Sequence, residues 1–311
     1  MTSHFLSMND LSDAELRGVL DAADAFRTGA FRAGADSAKP LAGKTVAMLF
    51  EKPSLRTKVS FDVAVYELGG HAVFLSREEV GLDSREPAED VARVLSRWVA
   101  VIVARVFDHR TLERLAAASS VPVVNGLSDV EHPAQALADL LTVRQHHGRL
   151  DGVRVAYVGD ANNCALSLAL GCAATGASFA IASPEGYGFD PERIKAIQER
   201  GAGARGGTLR TTVEPRDAVE GADVVYTDVW TSMGQEDETK ARREAFDGFV
   251  VDEALLAHAN PGAILMHPMP AHYGDEVPAG MLEHPQSAAF DQAENRLHVQ
   301  KALLRLLVGG A

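Results

Sequence analysis

The sequence predicts two doubly wound α/β domains, each a parallel sheet covered by helices on both faces. Three observations carry that prediction. Short apolar runs alternate with helix-length segments, the links between them are short, and the alternation halts at His147-Gly148-Arg149-Leu150-Asp151-Gly152 before restarting. Alternation of this kind implies parallel strands, because each return to the sheet needs a crossover that covers one face. A chain of 311 residues also suggests about two domains.

Taken in order, Ser12-Asp13-Ala14-Glu15 has the spacing of a capping box and opens a helix to about Phe26. Strands are predicted at 45–50, 71–75, 99–104 and 121–125, with helices near 54–68, 87–97, 110–118 and 133–146. Gly69-Gly70 closes the first of those helices. Past the 147–152 turn cluster a strand begins at Val153, and more follow at 178–182, 207–213, 223–228 and 262–266. Helices lie between them, and a terminal helix runs from about Glu294 to Leu307. The domains are therefore placed at 1–147 and 151–290.

Composition narrows the function. The formal net charge is −13 and no Lys/Arg block stands out, which argues against a nucleic-acid partner. An anionic substrate would need a local positive pocket in an acidic surface. Two cysteines, Cys164 and Cys172, indicate no disulfide framework and a reducing, cytoplasmic setting; both read as core fillers of a helix. No signal peptide and no membrane span are expected. The eleven His are scattered without metal-ligand spacing, so no metal is expected. Gly159-Asp160-Ala161-Asn162 lacks the G-x-G-x-x-G spacing, which speaks against a nucleotide cofactor; none is expected.

In doubly wound folds ligands sit outside the carboxyl ends of the strands. Polar clusters fall at those ends: Ser54-Leu55-Arg56-Thr57, Arg105, His132-Pro133-Ala134-Gln135, Asn162-Asn163, Asp228 and His267. The first opens a helix with hydroxyls and a guanidinium, which is how backbone N–H groups, the helix dipole and an Arg fork hold phosphate. Alone, S-x-R-T also describes a capped helix with a surface Arg. Arg56 and Arg105 could clamp one phosphate. His132 precedes Pro133 at another helix N-terminus, where charging is disfavoured and a neutral imidazole can donate to a carbonyl oxygen. Gln135 lies on the same helical face. In the second half, the acidic strand end at Asp228 suits an ammonium and Asn162-Asn163 a carboxylate.

These segments resemble the aspartate/ornithine carbamoyltransferase family, closest to its ornithine branch. The likeness rests on Phe50-Glu51-Lys52-Pro53-Ser54 with Arg56-Thr57, Ala92-Arg93-Val94-Leu95-Ser96-Arg97, and His132-Pro133-Ala134-Gln135-Ala136-Leu137-Ala138-Asp139. It continues through Asp228-Val229-Trp230-Thr231-Ser232-Met233-Gly234-Gln235 to Asp291-Gln292-Ala293-Glu294-Asn295-Arg296. The resemblance implies transfer of a carbamoyl group from carbamoyl phosphate to the side-chain amine of L-ornithine, giving citrulline and phosphate, a step of arginine biosynthesis. It implies that Ser54, Leu55, Arg56, Thr57, Arg105, His132, Gln135 and Arg296 bind carbamoyl phosphate, with Arg105, His132 and Arg296 catalytic. Asn163, Asp228, Ser232, Met233, His267, Pro268 and Met269 would face the amine substrate. The family fold returns the C-terminal helix, 294–311, to the first domain, and the family habit is a homotrimer or a multiple of trimers.

Departures cluster in the site. Leu55 replaces the Thr of S-T-R-T-R, as in the branch acting on N-acylated ornithines, and Lys58 replaces its last Arg. Gly81 stands where the ornithine branch often has Gln. His267-Pro268-Met269-Pro270 replaces H-C-L-P, so the thiol is lost, and Tyr273 stands where an Arg is usual. The Met269–Pro270 bond is expected to be cis. Three readings stay open: ornithine activity, activity on a different or N-modified diamino acid or amine, and a paralogue acting by binding or assembly. Aspartate is disfavoured, since no extra cation in the second domain would pair its β-carboxylate.

Overall fold

The computed structural model describes residues 3–30, 39–203, 207–232 and 236–309. Contacts divide the chain into two compact units, Met1–Ala138 with Asn295–Ala311 and Asp139–Glu294. In chain order, the first begins with α1 (Asp13–Arg27), β1 (Thr45–Phe50), α2 (Leu55–Glu67), β2 (His71–Ser76) and α3 (Arg77–Val80). It continues with α4 (Ala88–Leu95), β3 (Val101–Arg105), α5 (His109–Ala118) and β4 (Val123–Leu127). Next comes α6 (Pro133–His147), within which the units part. The second holds β5 (Arg154–Val158), α7 (Asn163–Thr175), β6 (Ser178–Ala182), α8 (Pro191–Gly201), β7 (Leu209–Thr212), α9 (Pro215–Val219) and β8 (Val224–Thr227). It ends with α10 (Thr239–Ala245), α11 (Glu253–Leu256) and β9 (Ile264–Met266), and α12 (Ala289–Val308) follows.

Both sheets are parallel, as the alternation predicts, with strand orders β2-β1-β3-β4 and β7-β6-β5-β8-β9. Strands β1 and β3 are buried almost throughout, whereas β2, at the sheet edge, alternates. That contrast is why the central strands read as continuous apolar runs. Leu49, Ile102, Ala104, Leu112 and Leu115 build one core, and Ala156, Val225, Phe246 and Leu265 belong to the other.

Ser12 caps α1 with a full capping box, as predicted. Asn295–Ala311 belongs to the first unit. There Lys301 Nζ on α12 meets Glu67 Oε2 at 2.6 Å and lies over the Phe26 ring. The short α3 was not expected, although Ser76 and Glu79 form a capping box around it. Gly81 closes α3 at φ 61°, and a Cβ there would lie 2.9 Å from Arg85 Cβ. A Gln at this position would be strained in this backbone.

Candidate active site

The first unit gathers its functional candidates at the carboxyl ends of β1, β3 and β4. Ser54 is the N-cap of α2, with its Oγ accepting the Thr57 N–H at 3.3 Å. Thr57 Oγ1 accepts from Arg296 Nη2 at 2.6 Å, and Arg296 Nη1 donates to Gln135 Oε1 at 2.9 Å. Both hydroxyls are used as acceptors here and keep their own protons to donate. Arg296 thereby braces the first turns of α2 and α6, two helix N-termini whose dipoles favour an anion. Arg296, Arg105, His132 and Gln135 are all at most 5% exposed.

Arg56 differs. Its guanidinium is partly buried, burial lowers its pKa, and among the described residues no carboxylate pairs with it. A partly buried cation with no carboxylate partner among the described residues is a candidate to hold an anion. Leu55 sits between Ser54 and Arg56 with its side chain 72% exposed, so its contribution at this helix end is its backbone.

His132 is held neutral. Burial pushes its pKa well below the usual histidine range, and the charges of Arg296 and Arg105 push further. The sign of the linkage follows. The unfolded His132 takes up a proton near pH 6.5 and the folded one does not, so stability falls as pH drops below about 6.5, by at most about 1.4 kcal/mol per pH unit. His132→Gln is expected to remove that contribution. Thermal melts of both proteins at pH 7.5 and 5.5 check this; an equal loss of Tm on acidification in the two would refute it.

In the second unit Asn162 is the N-cap of α7. Its Oδ1 accepts from Cys164 N and Ala165 N at 3.0 Å each, and its Nδ2 donates to Asp228 Oδ2 at 2.9 Å. Asn162 thus orients Asp228, whereas the sequence predicts a substrate carboxylate as its partner. Asn163 Oδ1 accepts from Cys164 N at 2.9 Å. Burial pushes the Asp228 carboxyl up; His267, the Asn162 amide and the Val229 N–H pull it down, and Glu276 adds to the rise. Ser232 is half-buried, while Met233 lies outside the described residues.

His267 is fully buried. Its Nδ1 accepts the Met269 N–H at 2.8 Å and its Nε2–H donates to Glu276 Oε1 at 3.1 Å. With both ring nitrogens engaged it serves as a strut under Pro268 and Met269. Met269 has φ 55°, and the Met269–Pro270 peptide is cis, as expected.

Three residues support these groups: Glu276 and Arg242, which lie outside the predicted set, and Asn162, in a role other than the expected one. Glu276 holds His267. Arg242 Nη1 donates to Asp160 Oδ2 and to the Trp230 carbonyl, each at 2.9 Å, tying the turn after β5 to the segment after β8. Asn162 alone carried a local signal, since Asn just before a helix is a capping residue. Among the described residues there is no cluster of metal-ligating side chains and no helix long and apolar enough to cross a membrane.

Comparison with known proteins agrees with this geometry. Residues 3–145 match the model for the aspartate/ornithine carbamoyltransferase carbamoyl-P binding domain, and 151–307 match that for the Asp/Orn binding domain. An ornithine carbamoyltransferase of Acidothermus cellulolyticus is 53% identical over 312 aligned residues, covering 100% of this chain and 98% of the relative. An anabolic ornithine carbamoyltransferase of Pyrococcus furiosus is 47% identical, covering 98% and 96%. A solved ornithine carbamoyltransferase from the same organism superposes with a TM-score of 0.94 at 45% identity, covering 100% and 98%. With both domain models matched in order across nearly all its length, the chain belongs to the aspartate/ornithine carbamoyltransferase family.

Proposed function

We propose that this protein is an ornithine carbamoyltransferase, transferring the carbamoyl group of carbamoyl phosphate to the δ-amine of L-ornithine. The observation that carries the reading is the arrangement of Ser54, Arg56 and Thr57 at the N-terminus of α2. Arg56 has no counter-ion among the described residues, and the Ser54 and Thr57 hydroxyls keep protons to donate at a helix N-terminus. Full-length identity to ornithine carbamoyltransferases supports the choice of amine.

In this reading the first unit holds the phosphate through Ser54, the Leu55 backbone, Arg56 and Thr57. Arg105, neutral His132 and Gln135 address the carbamoyl oxygen, and Arg296 keeps them in place. The second unit holds ornithine, with Asp228 on an ammonium and Asn163, Ser232, Met233 and the His267-Pro268-Met269 segment around the chain. The neutral δ-amine attacks the carbamoyl carbon and a C–N bond forms. The oxyanion that develops is stabilised by the donors; the C–O bond to phosphate then breaks, its electron pair stays with the departing phosphate, and the proton on the new C–N nitrogen passes to a phosphate oxygen. Catalysis rests on positioning and on preorganised donors, without a covalent intermediate. Pro268 carries no thiol, so no proton is routed through that position.

Phosphate release and citrulline formation by purified protein test this directly. Ornithine should be turned over, and N-acetylornithine, lysine, putrescine and aspartate should not. Turnover of another amine in place of ornithine would sink the reading. We further propose assembly as a trimer. The outward face of α2 exposes Leu55, Val59 and Tyr66, an apolar stripe suited to contact between copies; a monomeric mass by light scattering would refute it.

A further inference from the structure

Asp139, Tyr226 and Gln292 form a buried polar cluster that the reaction described above leaves unused. All three are 0% exposed and all lie in the second unit, on α6, β8 and α12. Tyr226 Oη donates to Asp139 Oδ2 at 3.1 Å. Gln292 Nε2 donates to Asp139 Oδ1 at 2.7 Å and to Tyr226 Oη at 3.1 Å. The other end of the same amide, Gln292 Oε1, accepts the His267 backbone N–H at 2.9 Å.

The place where that last bond is made gives the cluster its meaning. The β8–β9 pairing ends at Tyr226 opposite Met266, so His267 is the first residue beyond the paired strand. Gln292 takes the N–H that the pairing no longer serves. From there the chain of bonds runs on, because the His267 ring accepts the Met269 N–H. A buried carboxylate is costly where apolar side chains would pack, and specificity of arrangement is one reason to keep one. Here the arrangement is a polarity. Both Asp139 oxygens accept here, one from Tyr226 and one from Gln292, so the Gln292 amide turns its NH2 toward Asp139 and its carbonyl toward His267.

We propose that Asp139, acting through Gln292, is a positioning residue for the amine half-site, setting the direction of the His267-Pro268-Met269 backbone. The proposal rests on the reading of the second unit as the ornithine half.

Asp139→Asn replaces an acceptor with an NH2 and lets the Gln292 amide turn over, setting a donor against the His267 N–H. The expected result is an ornithine KM raised about tenfold, with carbamoyl phosphate Kd within about twofold of wild type. Hydrogen exchange of the amides in 264–270 should quicken. The double variant D139N/Q292E restores the polarity in reverse, because a carboxylate at 292 accepts both from the amide introduced at 139 and from the His267 N–H. It should recover both the KM and the exchange protection. Equal shifts for the two substrates, unchanged exchange in D139N, or a double variant without recovery would overturn the proposal. If D139N does not fold, Tyr226→Phe, which removes one bond to Asp139, is judged by the same split between substrates and the same exchange readout. Wild-type protein without ornithine turnover would overturn the functional reading, and the substrate role of Asp139 with it; the exchange comparison would still decide whether the bond chain exists.

Discussion

Arg296→Met is expected to lower kcat/KM by about a thousandfold, roughly 4 kcal/mol of transition-state stabilisation. The side chain is 4% exposed, and its two terminal nitrogens are spent on Thr57 and Gln135. Its loss acts three times over. The anion site loses a cation. The Thr57 hydroxyl and the Gln135 carbonyl lose the donor that orients them, and a buried acceptor left without its donor costs about 1–3 kcal/mol. The charge that helps keep His132 neutral also disappears, so the imidazole titrates at a higher pH than before. Arg296→Lys separates these effects, keeping the charge without the fork that reaches two acceptors at once, and should recover only part of the rate. Steady-state kinetics with calorimetric binding of carbamoyl phosphate measure both. A folded Met variant within tenfold of wild type would show that Arg296 is a structural brace alone.

That brace marks the limit of what the sequence could show. A strand buried on both faces announces itself: β1 falls at the predicted residues, because a run such as Val46-Ala47-Met48-Leu49 has little else to be. The candidate anion site follows from the sequence for a related reason. Ser54 and Arg56 lie two residues apart in sequence, and a capping hydroxyl at a strand-to-helix turn is a local pattern. By contrast, α12 begins at Ala289, ahead of the expected Glu294. Its buried side there is polar, with Gln292, Asn295 and Arg296 inside and Phe290 56% exposed, so the apolar periodicity that betrays a helix is inverted. The same inversion hid the Asp139–Tyr226–Gln292 cluster. Glu276 and Arg242 escape a local pattern because the bonds that matter here, Glu276 to His267 and Arg242 to Asp160 and the Trp230 carbonyl, are set by the tertiary fold. Asn162 has the chemistry of a ligand group, but its position before α7 assigns its carbonyl to the helix.

Asp228→Asn is expected to raise the ornithine KM by about a hundredfold, since an ammonium held by a buried carboxylate is worth about 2–5 kcal/mol. Carbamoyl phosphate binding should be unchanged. The replacement is nearly the same size, so packing is not at issue; charge and direction are. Asp228 Oδ2 accepts from Asn162 Nδ2, and Asn162 cannot turn over because its Oδ1 caps α7. An amide at 228 therefore sets NH2 against NH2 or turns its own NH2 onto the Val229 N–H, which in the wild type donates to Oδ1 at 2.8 Å. The double variant N162D/D228N tells the two losses apart. A carboxylate at 162 still caps the helix and accepts from the amide at 228, so stability should return, while the negative charge has moved off the residue assigned to the ammonium. Recovery of Tm without recovery of KM would place the requirement on the charge at 228 itself. Recovery of both would show that one carboxylate anywhere in the pair suffices. The pH profile adds an independent check with a definite sign. Burial raises the Asp228 pKa, so protonation begins above the ordinary carboxylate value of about 3.9 and ornithine affinity should fall as pH drops toward it. In D228N that acid limb should be missing, because the group that titrates is gone while the rest of the half-site remains.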